Sequence, residues 1–199
     1  MKKILLIVII VASGITYADA QTSQGNLFFG GSVSFENYKA EDNLEDDNTS
    51  QFTFAPSVGY FVMNNLAVGL DLGLSTRKRD DGPGGDDKTF TFSAGPFVRY
   101  YKFTSNEKFA FIGEFGFGFA GQKYKPDGGN ETKSSSFSLH LSPGFAYFFN
   151  EHWALDLELQ GIAFSSSDPN KDNDDDKSTY FTFGVSSFNP SLGVRYFLK

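Results

Sequence analysis

The chain has 199 residues, a length that suits one domain better than two. It carries 24 Asp and Glu against 17 Lys and Arg, and this acidity argues against nucleic-acid binding because it repels phosphate. The chain has no Cys, so an exported form cannot be held together by disulfides.

The first 20 residues have the order of a secretory signal peptide. Lys2 and Lys3 precede an apolar run at 4–15, and Ala18-Asp19-Ala20 supplies a small-residue cleavage motif. The apolar run is shorter than the roughly 20 residues that a transmembrane helix needs, and no helical segment of that length follows it. We therefore predict a signal peptide at 1–20 and a single mature domain at 21–199.

The mature sequence alternates large apolar residues with small or polar ones, which indicates β-strands with two different faces. A hairpin pattern that contains Pro and ends in Tyr also repeats along the chain. Together these features predict an all-β fold, an eight-stranded antiparallel up-and-down transmembrane β-barrel. The predicted strands are residues 27–38, 51–62, 66–77, 89–103, 109–123, 135–149, 153–166 and 180–198.

The predicted connections are sorted by length. Tight turns are expected at 63–65, 104–108 and 150–152. Long polar loops are expected at 39–50, 78–88, 124–134 and 167–179. Short turns at one end and long loops at the other are typical of outer-membrane barrels, with both termini in the periplasm and the long loops outside.

Side-chain volume predicts which face of the barrel points inward. A soluble lipocalin-like barrel buries its apolar face, whereas a membrane barrel turns that face toward lipid. An eight-stranded lumen is only just wide enough to be filled by side chains. The apolar phase offers four or five large residues per strand, which would overfill it, while the opposite phase offers Gly, Ala, Ser and single charges. We therefore predict that the large residues face lipid.

Six charged residues fall on the predicted lumen face at similar heights. Arg binds carboxylates bidentately and stays charged in a low-dielectric site, so we interpret the six as a salt-bridge network that plugs and stiffens the barrel. A conducting or catalytic role is the alternative. The six residues are Asp71, Arg99, Glu114, Asp156, Glu158 and Arg195.

Aromatic residues recur at both ends of the predicted strands, as in the two interfacial girdles of membrane barrels. One row, with Phe52 and Phe90 among its members, adjoins the long loops. The girdle beside the short turns comprises Tyr60, Tyr100, Tyr147, Trp153 and Tyr196.

Proline recurs inside the even-numbered strands, at Pro56, Pro96, Pro143 and Pro190, although it removes a ladder donor. Bulges that curve the barrel would accommodate it. The apolar phase also changes within the last strand, which predicts a bulge near Ser186–Ser187.

One pair of residues has a spacing associated with catalysis. His140 and Ser142 lie on one strand face, in the His-x-Ser order that outer-membrane lipid A deacylases use as base and nucleophile. We favour two polar lumen fillers, because an enzyme acting on membrane lipid needs access to the acyl chain. The acidic run 168–176 lacks the Gly and Glu of an EF-hand loop, so we predict no metal and no cofactor.

The signal peptide, the repeated Pro…Tyr hairpins and the C-terminal strand from Gly193 to Lys199 resemble the outer membrane protein beta-barrel domain (porin-like) family, in a Bacteroidota style. The resemblance covers the mature chain. It implies a location in the cell outer membrane, insertion by the barrel-insertion machinery, contact with outer-membrane lipid and lipopolysaccharide, and a monomer.

Similar small barrels suggest what the protein does. The OmpX and OmpA types act in surface interaction and envelope integrity, and the OmpW type passes small hydrophobic molecules. We expect a non-enzymatic structural or surface-interaction barrel with a plugged lumen. A narrow channel is the first alternative, and a lipid A-modifying enzyme is a distant one.

Overall fold

The structure, a computed structural model, describes residues 21–42, 45–80, 85–159, 161–168, 178–182 and 191–199. The predicted signal peptide and the predicted bulge near Ser186–Ser187 lie outside the described residues. The described strands are β1 (Leu27–Asp42), β2 (Glu45–Met63), β3 (Leu66–Asp80), β4 (Asp86–Phe103), β5 (Phe109–Lys125), β6 (Thr132–Phe148), β7 (Trp153–Glu158), β8 (Ile162–Asp168), β9 (Ser178–Thr182) and β10 (Ser191–Leu198).

The strands close into an antiparallel barrel. Strands β1 to β6 pair in sequence order, β6 pairs with both β7 and β8, and β10 joins β7 to β1. Because β7 with β8 forms the seventh barrel strand and β9 with β10 forms the eighth, the predicted eight-stranded barrel is confirmed. No helix in the described part of the chain is long and apolar enough to cross a membrane.

The two ends of the barrel differ. We call the end with the short connections 64–65, 104–108 and 149–152 the turn end, and the opposite end the loop end. At the loop end, β1 and β2 stay paired as far as Asp42 and Glu45, and β3 and β4 stay paired as far as Asp80 and Asp86.

The prediction of long loops at 39–50 and 78–88 was therefore wrong, because most of these residues continue the strands. A transmembrane strand needs only about 9–11 residues. With up to 19 residues, the strands project beyond such a span at the loop end.

The large apolar residues lie on the outside of the barrel. On β4, Phe92 and Val98 are 47% and 41% exposed, whereas Arg99 and Tyr101 are 1% and 0% exposed. Successive residues of a strand point to opposite faces, so one phase of each strand meets the surroundings and the other fills the lumen. An apolar exterior around a polar interior is the arrangement of a transmembrane barrel.

The seventh barrel strand contains a bulge opposite Pro143. Leu141 pairs with Ile162 and Gly144 pairs with Glu158, so the register of the seventh strand against β6 shifts by one residue between these two pairs. The extra residue shifts the outward face from odd-numbered positions in β7 to even-numbered positions in β8.

Proline does not produce a bulge in every strand. The pairs Gly31–Pro56 and Leu70–Pro96 lie within unshifted registers. The proposed link between proline and bulges therefore fits Pro143 alone among these three, and Pro190 lies outside the described residues.

Candidate functional site: the barrel lumen

A buried ion network crosses the lumen. Arg99 on β4 contacts Glu114 on β5 at 2.5 Å and Asp156 on β7 at 2.6 Å, and it also pairs with Glu158. Arg195 on β10 pairs with Asp156 and reaches Glu158 at 3.1 Å. Four strands are thereby tied together through side chains that lie inside the barrel.

Two further strands join this network through neutral or titratable side chains. The Arg195 Nη1 donates to the Ser57 Oγ on β2 at 3.0 Å. The His140 Nε2 on β6 lies 3.5 Å from the Glu114 Oε1. Asp71 lies on the same face of β3, but the structure gives it no hydrogen bond or ion pair with a described residue.

An aromatic layer fills the lumen between the ion network and the turn end. The ring centroid of Phe28 lies 5.7 Å from the centroids of Phe61 and Phe197. The centroids of Phe148 and Phe197 lie 5.4 Å apart. The buried members of the layer are Phe28, Phe61, Phe97, Tyr101, Phe148 and Phe197. The expectation that the lumen face carries only small residues and single charges was therefore wrong at this end.

The sequence contains a signal for this layer that the volume argument missed. Aromatic residues occur in adjacent pairs at the turn end of five strands. Because neighbouring residues of a strand point to opposite faces, one member of each pair must enter the lumen. The pairs are Phe28-Phe29, Tyr60-Phe61, Tyr100-Tyr101, Tyr147-Phe148 and Tyr196-Phe197.

The aromatic layer contacts the ion network directly. The Arg195 guanidinium lies 4.9 Å from the ring centroid of Phe28, and the Arg99 guanidinium lies 5.7 Å from that of Phe97. Such cation–π contacts hold a buried guanidinium against an aromatic face. The ion network and the aromatic layer are therefore packed directly against each other.

The segment before β1 covers the aromatic layer at the turn end. Gln21 and Thr22 are 1% and 0% exposed. The Thr22 carbonyl accepts a hydrogen bond of 2.8 Å from the Asn65 backbone N–H, and their side-chain oxygens lie 2.5 Å apart. The Gln21 amide donates to the Asn150 carbonyl, so the segment is tied to two different turns.

A cavity of about 430 Å³ lies on the loop side of the ion network. Asp71, Glu114 and His140 line it together with serines and glycines of the lumen face. The structure shows no hydrogen bond between His140 and Ser142, and the carboxylate beside His140 belongs to Glu114. Within the described ranges, no group of three or more His, Asp or Glu side chains could hold a metal ion.

The sequence matches the outer membrane protein beta-barrel domain family over residues 4–187. The chain belongs to this family. The predicted resemblance is therefore confirmed, and the outer membrane is the location that the family supports.

Several solved barrels resemble this family member. The N-terminal β-barrel domain of Pseudomonas aeruginosa OprF is 11% identical with a TM-score of 0.43, covering 88% of this chain and 98% of that chain. Ail, the attachment invasion locus protein of Yersinia pestis, is 20% identical with a TM-score of 0.43, covering 88% and 99%. Pseudomonas aeruginosa OprG is 13% identical with a TM-score of 0.40, covering 89% and 91%. The comparison with curated proteins gave no match.

The predicted girdle residues of this outer-membrane barrel lie on its outer face at the turn end. Tyr60 and Tyr100 are 44% and 51% exposed. The Trp153 ring stands edge-on to Tyr196 with centroids 4.9 Å apart, and Tyr147 lies 4.7 Å from Phe109. An amphipathic ring in such a position suits the boundary between lipid and water.

Proposed function

We propose that this protein is a closed, non-enzymatic outer-membrane barrel whose lumen is plugged by its own side chains. The observation that carries the proposal is the pairing of Arg99 with carboxylates on both β5 and β7, deep inside the barrel. Because β4 and β7 are separated by β5 and β6, the ion pair between Arg99 and Asp156 reaches across the lumen and lies in the path that a solute would take. The aromatic layer and the covering segment support closure of the remaining length.

The network also stiffens the barrel. A buried guanidinium is tolerated only when its donors and the opposing carboxylates are satisfied together. Arg99 and Arg195 share Asp156 and Glu158, so moving any one of the strands that carry them would break several charged hydrogen bonds. The lumen charges therefore act as a brace rather than as a site that binds and releases a solute.

The proposed setting follows from the architecture. The signal peptide directs export, the barrel-insertion machinery inserts the monomer, and the turn end faces the periplasm. The girdle that includes Tyr100 and Trp153 contacts outer-membrane lipid at that interface. The projecting hairpins at the loop end meet lipopolysaccharide and the surroundings of the cell, where they serve in surface interaction.

Solute uptake into proteoliposomes tests the plug. Vesicles that contain the purified barrel are diluted into isotonic solutions of small neutral and charged solutes, with empty vesicles and an open porin as controls. We expect swelling no faster than in empty vesicles. Swelling at a rate that scales with protein content would overturn the plugged lumen.

A narrow channel is the second candidate, and the cavity of about 430 Å³ on the loop side favours it. That cavity ends at the ion network, so conduction would require Arg99 and the aromatic layer to move aside. The same swelling assay separates the two candidates.

A lipid A-modifying enzyme is less consistent with the structure, because His140 and Ser142 share the lumen-facing phase of β6. Mass spectrometry of lipid A from cells that express the wild-type chain tests this candidate. We expect an unchanged number of acyl chains. A loss of one chain that disappears in Ser142→Ala would establish an enzyme.

A further inference from the structure

Lysines form two rows on the outer face of the barrel at the loop end. Lys78, Lys88 and Lys125 are direct cross-strand partners on β3, β4 and β5. One step closer to the membrane band, Lys123 and Lys133 are partners on β5 and β6, in the same row as Phe90. All five lysines share the outward phase of the lipid-facing aromatics and are exposed.

Such an arrangement is unfavourable for the isolated barrel. Partner residues of an antiparallel pair have Cα atoms about 4.5–5.5 Å apart, and like charges placed directly opposite destabilise the pair. Two of the lysines have acidic neighbours: Lys78 lies 2.7 Å from Asp86, and Lys133 lies 3.8 Å from Glu131.

The other three lysines have no such compensation. Lys88, Lys123 and Lys125 form no ion pair within the part of the chain that the structure describes. Their positive charge is therefore available to an external anion.

A groove lies among these lysines. It has a volume of about 570 Å³, and its lining combines Lys78, Lys88, Lys123 and Lys125 with apolar rings that include Phe52 and Phe90. Glu131 is the acidic residue in its lining. The rings sit on the membrane side of the lysines, since Phe52 and Phe90 begin the lipid-facing band of β2 and β4.

We propose that this lysine groove binds the phosphate-bearing headgroup of an outer-leaflet lipid, with the upper part of an acyl chain against its aromatic rings. The proposal rests on the proposed orientation, with the loop end outside. Basic side chains just outside a membrane attract anionic lipid headgroups, and apolar rings just below them favour the acyl boundary. A soluble anion would bind the lysines but would make no favourable contact with the apolar rings.

Native mass spectrometry of the detergent-solubilised full barrel tests the proposal, with bis-phosphorylated lipid A as the probe. The test variant is Lys88→Gln combined with Lys123→Gln. The matched control is Lys102→Gln combined with Lys108→Gln, which removes the same charge from two lysines at the turn end. We expect the test variant to bind lipid A roughly tenfold more weakly than the wild type, and the control to bind it within twofold.

Three further measurements test the roles of the phosphates and the rings and check that the variants fold. Dephosphorylated lipid A should bind the wild type no better than it binds the test variant. Inorganic phosphate at millimolar concentration should leave lipid A bound, because the rings hold the lipid but not the free anion. A gel shift between unboiled and boiled samples confirms that both variants are folded.

The proposal is wrong if the test variant and the control retain lipid A equally, or if removing the phosphates changes nothing. Displacement of lipid A by inorganic phosphate would likewise overturn it in favour of a free-anion site. The measurement is independent of the plugged lumen, since lipid retention on the outer face does not require the barrel to be closed.

Discussion

Arg99 on β4 and Asp156 on β7 form an ion pair of 2.6 Å across the lumen, and each side chain is 1% exposed. Removing one partner of a buried pair leaves the other charge without compensation. We expect Arg99→Ala to lower the free energy of unfolding by roughly 3–5 kcal/mol, measured by urea titration of the barrel in lipid vesicles.

Arg77→Ala is the matched control for this change, because Arg77 is an exposed arginine near the loop end of β3. Its effect should stay within about 0.5 kcal/mol of the wild type. Equal stability of the Arg99→Ala and Arg77→Ala variants would contradict the bracing role of the network.

Gly69 makes room for the aromatic layer. A Cβ atom at this position would lie 2.2 Å from the Phe97 ring and 2.4 Å from the Val58 carbonyl oxygen. The carbonyl belongs to the backbone and cannot move aside, so Gly69→Ala should destabilise the barrel by about 1–3 kcal/mol in the same urea titration.

Gly113 provides the control for that substitution. It lies on β5, and a Cβ atom there would have no neighbour within 4 Å. Gly113→Ala should therefore leave stability unchanged or raise it slightly, since Ala restricts the unfolded chain more than Gly does. If Gly113→Ala were less stable than Gly69→Ala, the aromatic layer would not be packed against Gly69 as described.

Asn65 closes the turn between β2 and β3 with a positive φ of 66°. A β-branched residue is strained in this left-handed conformation, whereas Gly adopts it readily. We expect Asn65→Val to be about 1–2 kcal/mol less stable than Asn65→Gly. Both variants lose the side-chain contact with Thr22, so their difference isolates the backbone strain. Equal unfolding midpoints would argue against the turn geometry.

The alternation of the sequence was sufficient to predict the barrel, its strands and its outward face. Large residues stand at every second position, as in Leu70, Leu72 and Leu74. They would overfill an eight-stranded lumen, so they must face outward. The same parity places Arg99, Glu114 and Asp156 on the inner face, and the structure brings them into contact. The inward or outward direction of each strand side chain can thus be predicted from the sequence without knowing which distant residues it contacts.

Three features do not follow from the alternation of large and small residues. The aromatic layer follows instead from adjacent aromatic pairs, because the neighbour of each outward Tyr, such as Phe61 or Phe148, must point into the lumen. The bulge opposite Pro143 depends on register, which an apolar pattern with Leu157 and Leu159 in one phase does not reveal. The sequences of the long hairpins at the loop end are mostly polar. Backbone pairing extends these strands, but no alternation of apolar and polar residues marks the extension in the sequence.

Planar-bilayer recording tests the central claim, the closed lumen, most directly. The wild-type barrel, the Arg99→Ala variant and the Arg77→Ala control are inserted into the same lipid, and insertion is verified independently by protease protection. The account predicts no stable unitary current from the wild type or the control, with ion leak confined to Arg99→Ala. Stable, uniform unitary currents from the wild type at low voltage would contradict it.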